Sequence, residues 1–350
     1  MPKRHGVLFA KALTLFLTTL LFSSVSWAQV EESADKDVGD CDRFASIDDI
    51  PSKGIKKASY GFIDVGLALP PCKAANAKYP RNSRVQVQLA RIYFQQGKFE
   101  QGIELAKASA KEQAISLAFL GEASRRGVGG VPMNPREAAR LFQEGADRGN
   151  PESMNGLSRA YAIGIGVEKD EPKALALMQK AAATGDGNSS ISMSILQLQG
   201  KLGLSKSPIE SAKFVQMLAD SGTHPGAQVI MGIIIADREK KITSEAAAYF
   251  ASAVEKLERL SSQESAEARV VLAGCYRLGA GVKKDLGKAF DLYRKAAEHN
   301  LIAAIAQTGV ALAEGAGTEK NVPEGKKWLE RASAMGSDEA DKALAKLWGK

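Results

Sequence analysis

The chain has 350 residues, of which 45% are hydrophobic, 25% charged and 6% aromatic, and its formal net charge is +7. This mixture is too apolar for a disordered chain, and the length exceeds what one hydrophobic core fills, which leaves two domains or one elongated array. The 33 glycines, spaced at intervals along the chain, favour the array.

The first segment carries Lys3, Arg4 and Lys11, an apolar stretch from Ala12 to Val25, and the small-residue exit Ser26-Trp27-Ala28. That is the layout of a secretory signal peptide cleaved after Ala28. The stretch is shorter than the roughly 20 apolar residues a bilayer needs, and Thr14, Thr18, Thr19, Ser23 and Ser24 interrupt it. Cleavage removes three basic residues and no acid, taking the net charge from +7 to +4. Nucleic acid is thereby disfavoured as a partner, as it is by the low aromatic content. The run from Val229 to Ala236 is too short to span a bilayer, so no membrane insertion is expected after cleavage, and the mature protein is expected in the periplasm or secreted. Asp40, immediately before Cys41, argues against lipid attachment there. Residues 29–40 are polar and acidic and are expected to form a flexible tail.

Residues 41–81 form a cysteine-bearing lead-in. Export gives the cysteines an oxidising surrounding in which close thiols pair. Cys41 and Cys72 flank one short segment and are expected to form a disulfide, whereas Cys275 sits in a small-residue slot of a helix, where a buried free thiol is expected. Residues 82–113 read as one helix pair joined by a tight turn at Gln96-Gly97-Lys98.

Beyond this the chain repeats. Residues 161–182 and 276–297 align without gaps and share 12 of 22 positions, including both glycines, the valine, the aspartate and the closing Lys-Ala-Ala. The same phase returns at Gly127, Gly200 and Gly315, so successive first glycines lie 37, 36, 79 and 36 residues apart. The 79-residue interval holds a degenerate unit whose loop reads Ala236-Asp237-Arg238-Glu239-Lys240-Lys241, without glycine. Six units result, near 114–150, 151–186, 187–223, 224–262, 263–300 and 301–337, followed by a capping helix over 338–350. Within each unit the first helix closes on a glycine suited to a left-handed backbone. The second starts from a capping side chain, as in Asn134-Pro135-Arg136-Glu137 and Ser207-Pro208-Ile209-Glu210, or from Asp170 and Asp285. Inward positions such as Ala174, Leu177, Met178, Ala181 and Ala182 let neighbouring helices approach closely.

The Gly-x-Gly-Val-x-x-Asp-x-x-Lys-Ala core of the second and fifth units resembles the Sel1-like repeat family, a relative of the tetratricopeptide repeat, over about residues 114–337. Residues 82–110 resemble one plain tetratricopeptide unit, and the segment from Cys41 to Ala74 resembles the lead-in of some exported bacterial proteins of this family. The resemblance implies an all-α solenoid of helix-turn-helix repeats wound as a right-handed superhelix. It also implies a non-enzymatic scaffold or adaptor that binds a protein or peptide partner through its concave surface.

The chemistry-bearing residues agree with that implication. Histidine occurs only at positions 5, 224 and 299, and neither His224 nor His299 has Cys, Asp or Glu at a metal-ligand spacing, so structural roles are expected for both. The glycine loops lack a preceding strand and a following Gly-Lys-Ser/Thr, and a turn requirement explains their recurrence better than a phosphate site does. No cofactor is expected. Arg125, Arg159 and Arg277 fall near the ends of first helices and form the candidate partner-binding surface, tilted toward acidic partners. Two rival functions remain: binding of cell-wall or exported polysaccharide, opposed by tryptophans confined to positions 27, 328 and 348, and a cell-wall-acting hydrolase, opposed by the absence of a nucleophile with a base inside one unit.

Overall fold

The computed structural model describes residues 35–45 and 62–349. The proposed signal peptide and residues 29–34 lie outside the described residues. Among the described residues there are 17 helices and no strand. Two lead-in helices, α1 (Lys36–Ala45) and α2 (Val65–Lys78), precede seven helix pairs. The pairs are α3 (Ser83–Gln95) with α4 (Phe99–Ser109), α5 (Ile115–Arg126) with α6 (Pro135–Asp147), and α7 (Pro151–Ile163) with α8 (Glu171–Ala183). They continue with α9 (Gly187–Gln199) and α10 (Pro208–Asp220), α11 (Pro225–Glu239) and α12 (Ser244–Ser262), and α13 (Ala266–Leu278) and α14 (Leu286–Ala297). The last pair is α15 (Ile302–Glu314) and α16 (Val322–Ala334), covered by α17 (Asp338–Trp348). The fold is an α-solenoid.

The helix boundaries follow from local chemistry. The side chains of Asn134, Asp170, Ser207, Asp285 and Asn321 each accept the backbone N–H three residues on, starting α6, α8, α10, α14 and α16. Gly127, Gly164, Gly200, Gly279 and Gly315 close first helices with φ between +63° and +76°. In the degenerate unit Lys240 takes that left-handed position with φ +53°, at the steric cost a β-carbon carries there. The second glycine of the loop has a different task. A β-carbon on Gly166 would lie 2.1 Å from the carbonyl oxygen of Pro135, and one on Gly317 2.0 Å from that of Leu286. Each loop thus rests on the start of the preceding unit's second helix, and the recurring Gly-x-Gly is a packing requirement between units.

Helix α1 corrects one sequence expectation. It begins at Lys36, and Val38 is fully buried with Ala75 and Val85, so residues 36–40 belong to the packed lead-in and not to a flexible tail. Val38, the disulfide-bonded Cys41 and Ala45 are buried along one side of this short helix, which ties an otherwise acidic stretch to the lead-in core. Cys41 and Cys72 are joined, and both are fully buried against Ile63, Leu89 and Ile92. Cys275 is free and buried, and burial pushes its thiol up to about 11.

The solenoid winds tightly enough for successive turns to touch. Asp64 pairs with Arg259 at 2.6 Å and accepts from Gln263, whose amide oxygen accepts from the Val65 N–H at 3.0 Å. Arg126 donates to the His299 carbonyl, the Asn300 amide donates back to the Arg126 carbonyl at 3.2 Å, and Lys201 meets Asp338 at 2.7 Å. No helix among the described residues is long and apolar enough to cross a membrane.

Candidate partner-binding surface

First helices lie beside one another from α3 through α5 and α7 to α9, while each second helix packs chiefly on its own partner and on the next first helix. The first helices therefore line the inside of the curve. Side-chain bonds between adjacent units run along this inner face: Asn155 of α7 donates to Ser192 of α9 at 3.1 Å, and Asn188 of α9 donates to Glu152 of α7. Charges also act across it. Glu267 of α13 feels Arg126 and Glu122 of α5, and Arg91 of α3 acts on Glu152 of α7 and on His224 at the start of α11.

Glu122 is the centre of this surface. Its two carboxylate oxygens accept from the Arg125 guanidinium, three residues on, in a two-pronged contact whose Nε–Oε2 arm is 2.9 Å. Arg159 of the next unit reaches the same carboxylate at 3.5 Å. Burial alone would raise the Glu122 carboxyl, but the charge and hydrogen bond of Arg125, then Arg159 and Arg126, hold it far below the ordinary carboxylate range. Thirty residues on, the balance is reversed. Burial and then the neighbouring Asp186 carboxylate raise the Glu152 carboxyl, against the Asn188 hydrogen bond and the charges of Arg91 and Arg159.

Of the three arginines singled out in the sequence, the structure brings two together. Arg125 and Arg159 share Glu122, but Arg277 is exposed on α13, where its charge acts on the Tyr293 hydroxyl of α14 in its own unit. The side chain of Arg159 is 55% exposed, yet burial within the curve still disfavours its charge, so it projects into a solvent-accessible interior. Two further residues belong here. Glu122 was legible as a partner three residues before Arg125 on one helix face. Arg126 was not: it is 4% exposed, lies over the Phe99 ring at 4.9 Å, and donates to a carbonyl 173 residues later in the chain.

The two histidines are packed elements. His224 is 3% exposed with the Phe62 ring edge-on at 5.6 Å, and burial lowers it to about 4. His299 is half-buried against the Phe99 ring at 6.1 Å and fills the space beside Gly97, and burial, then Arg269 and Arg126, lower it.

Comparison with known proteins agrees with this architecture. The Sel1 repeat family matches residues 114–150, 151–186, 266–301 and 302–337. A Sel1 repeat protein from Oxalobacter formigenes is 23% identical, covering 71% of this chain and 96% of its own, with a TM-score of 0.40. A protective antigen of uropathogenic Escherichia coli with an SLR fold is 21% identical over 80% of this chain and 68% of its own, with a TM-score of 0.36. Chitin synthase regulatory factor 3 of Schizosaccharomyces pombe is 34% identical over 77 residues, 22% of this chain. The chain spans only 8% of the length of that relative. Sel1 and tetratricopeptide-like repeats are generally protein-interaction scaffolds without enzymatic chemistry. The chain carries four Sel1 repeats and folds as an α-solenoid.

Proposed function

We propose that the protein is an exported, non-enzymatic scaffold of the cell envelope that binds a polypeptide partner on the inner face of its first helices. One observation carries this reading: the inner face gathers Arg125, Arg126 and Arg159 around the single carboxylate of Glu122, and Arg159 remains open to solvent. Glu152 and Glu267 share this face, but Arg159, open to solvent beside an already engaged Glu122, favours an acidic group on the partner. The Cys41–Cys72 disulfide fits an oxidising compartment, and with the signal-like residues 1–28 it supports export.

Crosslinking in intact cells followed by pull-down of the full chain tests the proposal. Arg159→Glu is expected to reduce capture of the partner by tenfold or more, whereas Lys180→Glu and Lys295→Glu, on the exposed sides of second helices, leave it unchanged. Arg277→Glu is expected to have the smaller effect of an exposed rim charge. Capture lost only on reversal of the second-helix lysines would move the site to the outer face. An intact mass that includes residues 1–28 in natively expressed protein would refute export by cleavage.

A further inference from the structure

We infer that the inner face reads an extended polypeptide in a fixed register, a carboxylate-bearing residue on Arg159 followed by aliphatic side chains on Ile195 and Ile233 at about three-residue steps. The inference rests on the proposed inner-face binding and specifies its ligand.

Arg159, Ile195 and Ile233 are the ninth residues of α7, α9 and α11. In all three helices the ninth and thirteenth positions are exposed while the seventh and eighth are buried, so the three helices present the same face and these side chains form one row across consecutive units. Ile195 is 39% and Ile233 38% exposed, and Ile163 at the thirteenth position of α7 is 37% exposed on the same face. Packed helices such as α7 and α9 stand about 8–10 Å apart and an extended chain advances about 3.3 Å per residue, so a peptide crossing them moves from Arg159 to Ile195 in about three residues, and α11, tied to α9 through α10, continues the row in the next unit.

The charge requirement comes from Arg159. Among the described residues its ion pair is the 3.5 Å approach to Glu122, whose oxygens already accept from Arg125. The guanidinium has five N–H donors in a planar fork suited to a carboxylate, and the groups around it leave that fork underused. Glu152, the other acid acting on Arg159, is engaged by Asn188 and is pushed toward its neutral form by burial and Asp186. A ligand carboxylate could reach that fork from solvent, since the Arg159 side chain is 55% exposed. Beyond Arg159 the row turns apolar, so the same ligand must turn from acidic to aliphatic along its length.

Selection of a random phage-displayed peptide library on the immobilised full chain tests this register. Wild-type protein is expected to enrich peptides with Asp or Glu followed, in one chain direction, by Ile, Leu or Val three and six residues away. Arg159→Gln, at a half-exposed site, is expected to erase the acidic preference and keep both aliphatic ones, with circular dichroism confirming that the helices remain. Ile195→Ser is expected to erase only the nearer aliphatic preference, and Ile233→Ser only the farther. In fluorescence anisotropy on a selected peptide, replacing its Asp by Asn weakens binding about tenfold to wild type and not at all to Arg159→Gln. Enriched peptides that bind the inner face without this spacing would overturn the register and leave the proposed function standing. No enrichment on wild type, or tighter Arg159-dependent binding of an acidic oligogalacturonate than of any peptide, would overturn both.

Discussion

Replacing Glu122 with glutamine isolates the charge that holds the inner face together. The variant keeps the shape and one acceptor oxygen but removes the carboxylate shared by Arg125 and Arg159 and leaves three arginines facing one another. At an effective dielectric near 20, each close pair is worth about 4 kcal/mol before desolvation, and removing one partner of a buried pair costs about 3–5 kcal/mol. The Arg159 share must be discounted because that side chain is 55% exposed and screened by solvent. The retained hydrogen bond offsets a further part. The expected loss is therefore about 2–3 kcal/mol. Because solenoids unfold by unit, the readout is hydrogen exchange in peptides covering α5 and α7. The pH dependence fixes the cause. Glu122 has a folded value below its unfolded value near 4.5, so its contribution is fully present above pH 4.5 and is lost as the pH falls through the folded value. The difference between wild type and variant should be full at pH 6 and shrink by pH 2.5. Equal protection at pH 6, or an undiminished difference at pH 2.5, would refute the argument.

Two further outcomes follow from the loops. Gly166→Ala and Gly185→Ala both place a β-carbon at positive φ, but the first meets the Pro135 carbonyl at 2.1 Å and the second meets nothing within 4 Å. Gly185→Ala should cost about 1–2 kcal/mol and Gly166→Ala about 1–3 kcal/mol more, read by urea unfolding, and equal costs would show that the loop contact is slack. Lys240→Gly relieves a lysine held at φ +53° and should raise protection of α11 and α12 by about 1 kcal/mol, less the entropy glycine adds to the unfolded chain; a loss would show that the Lys240–Asp237 contact at 3.1 Å matters more.

The repeating part of the fold was legible because its signals are local. A capping side chain, a proline at the first helical position and a closing glycine act within one turn of backbone, and they mark the same boundaries in the sequence and in the structure. The second glycine was read only as a turn residue, because its contact with Pro135 lies in the preceding unit. The site was half legible for the same reason. Arg125 and Arg159 occupy a recognisable position near first-helix ends, but only the packing of α7 beside α5 brings Arg159 to Glu122, while Arg277 acts on Tyr293 of its own unit. Arg126 carried no local signal of its role, because its acceptor, the His299 carbonyl, lies 173 residues later in the chain.

The contacts between turns also decide how the inner face can be entered. Asp64 and Arg259 are 19% and 58% exposed, and Lys201 and Asp338 37% and 47%, so each pair contributes no more than about 1 kcal/mol. Within a turn, by contrast, each unit buries alanines, leucines and isoleucines against the next, and deleting one such buried leucine or isoleucine costs about 2–5 kcal/mol. A superhelix with strong links along its chain and weak links between its turns opens by small changes of pitch before any unit unfolds. Arg126 sets the limit on that opening, because separating its turns breaks a bond to the His299 carbonyl and exposes a guanidinium otherwise buried over Phe99. The Lys201–Asp338 pair is likewise backed by packing, because Ile163 and Ile165 lie against Gly336 across the same two turns, so the turns are held at both places by more than an exposed ion pair.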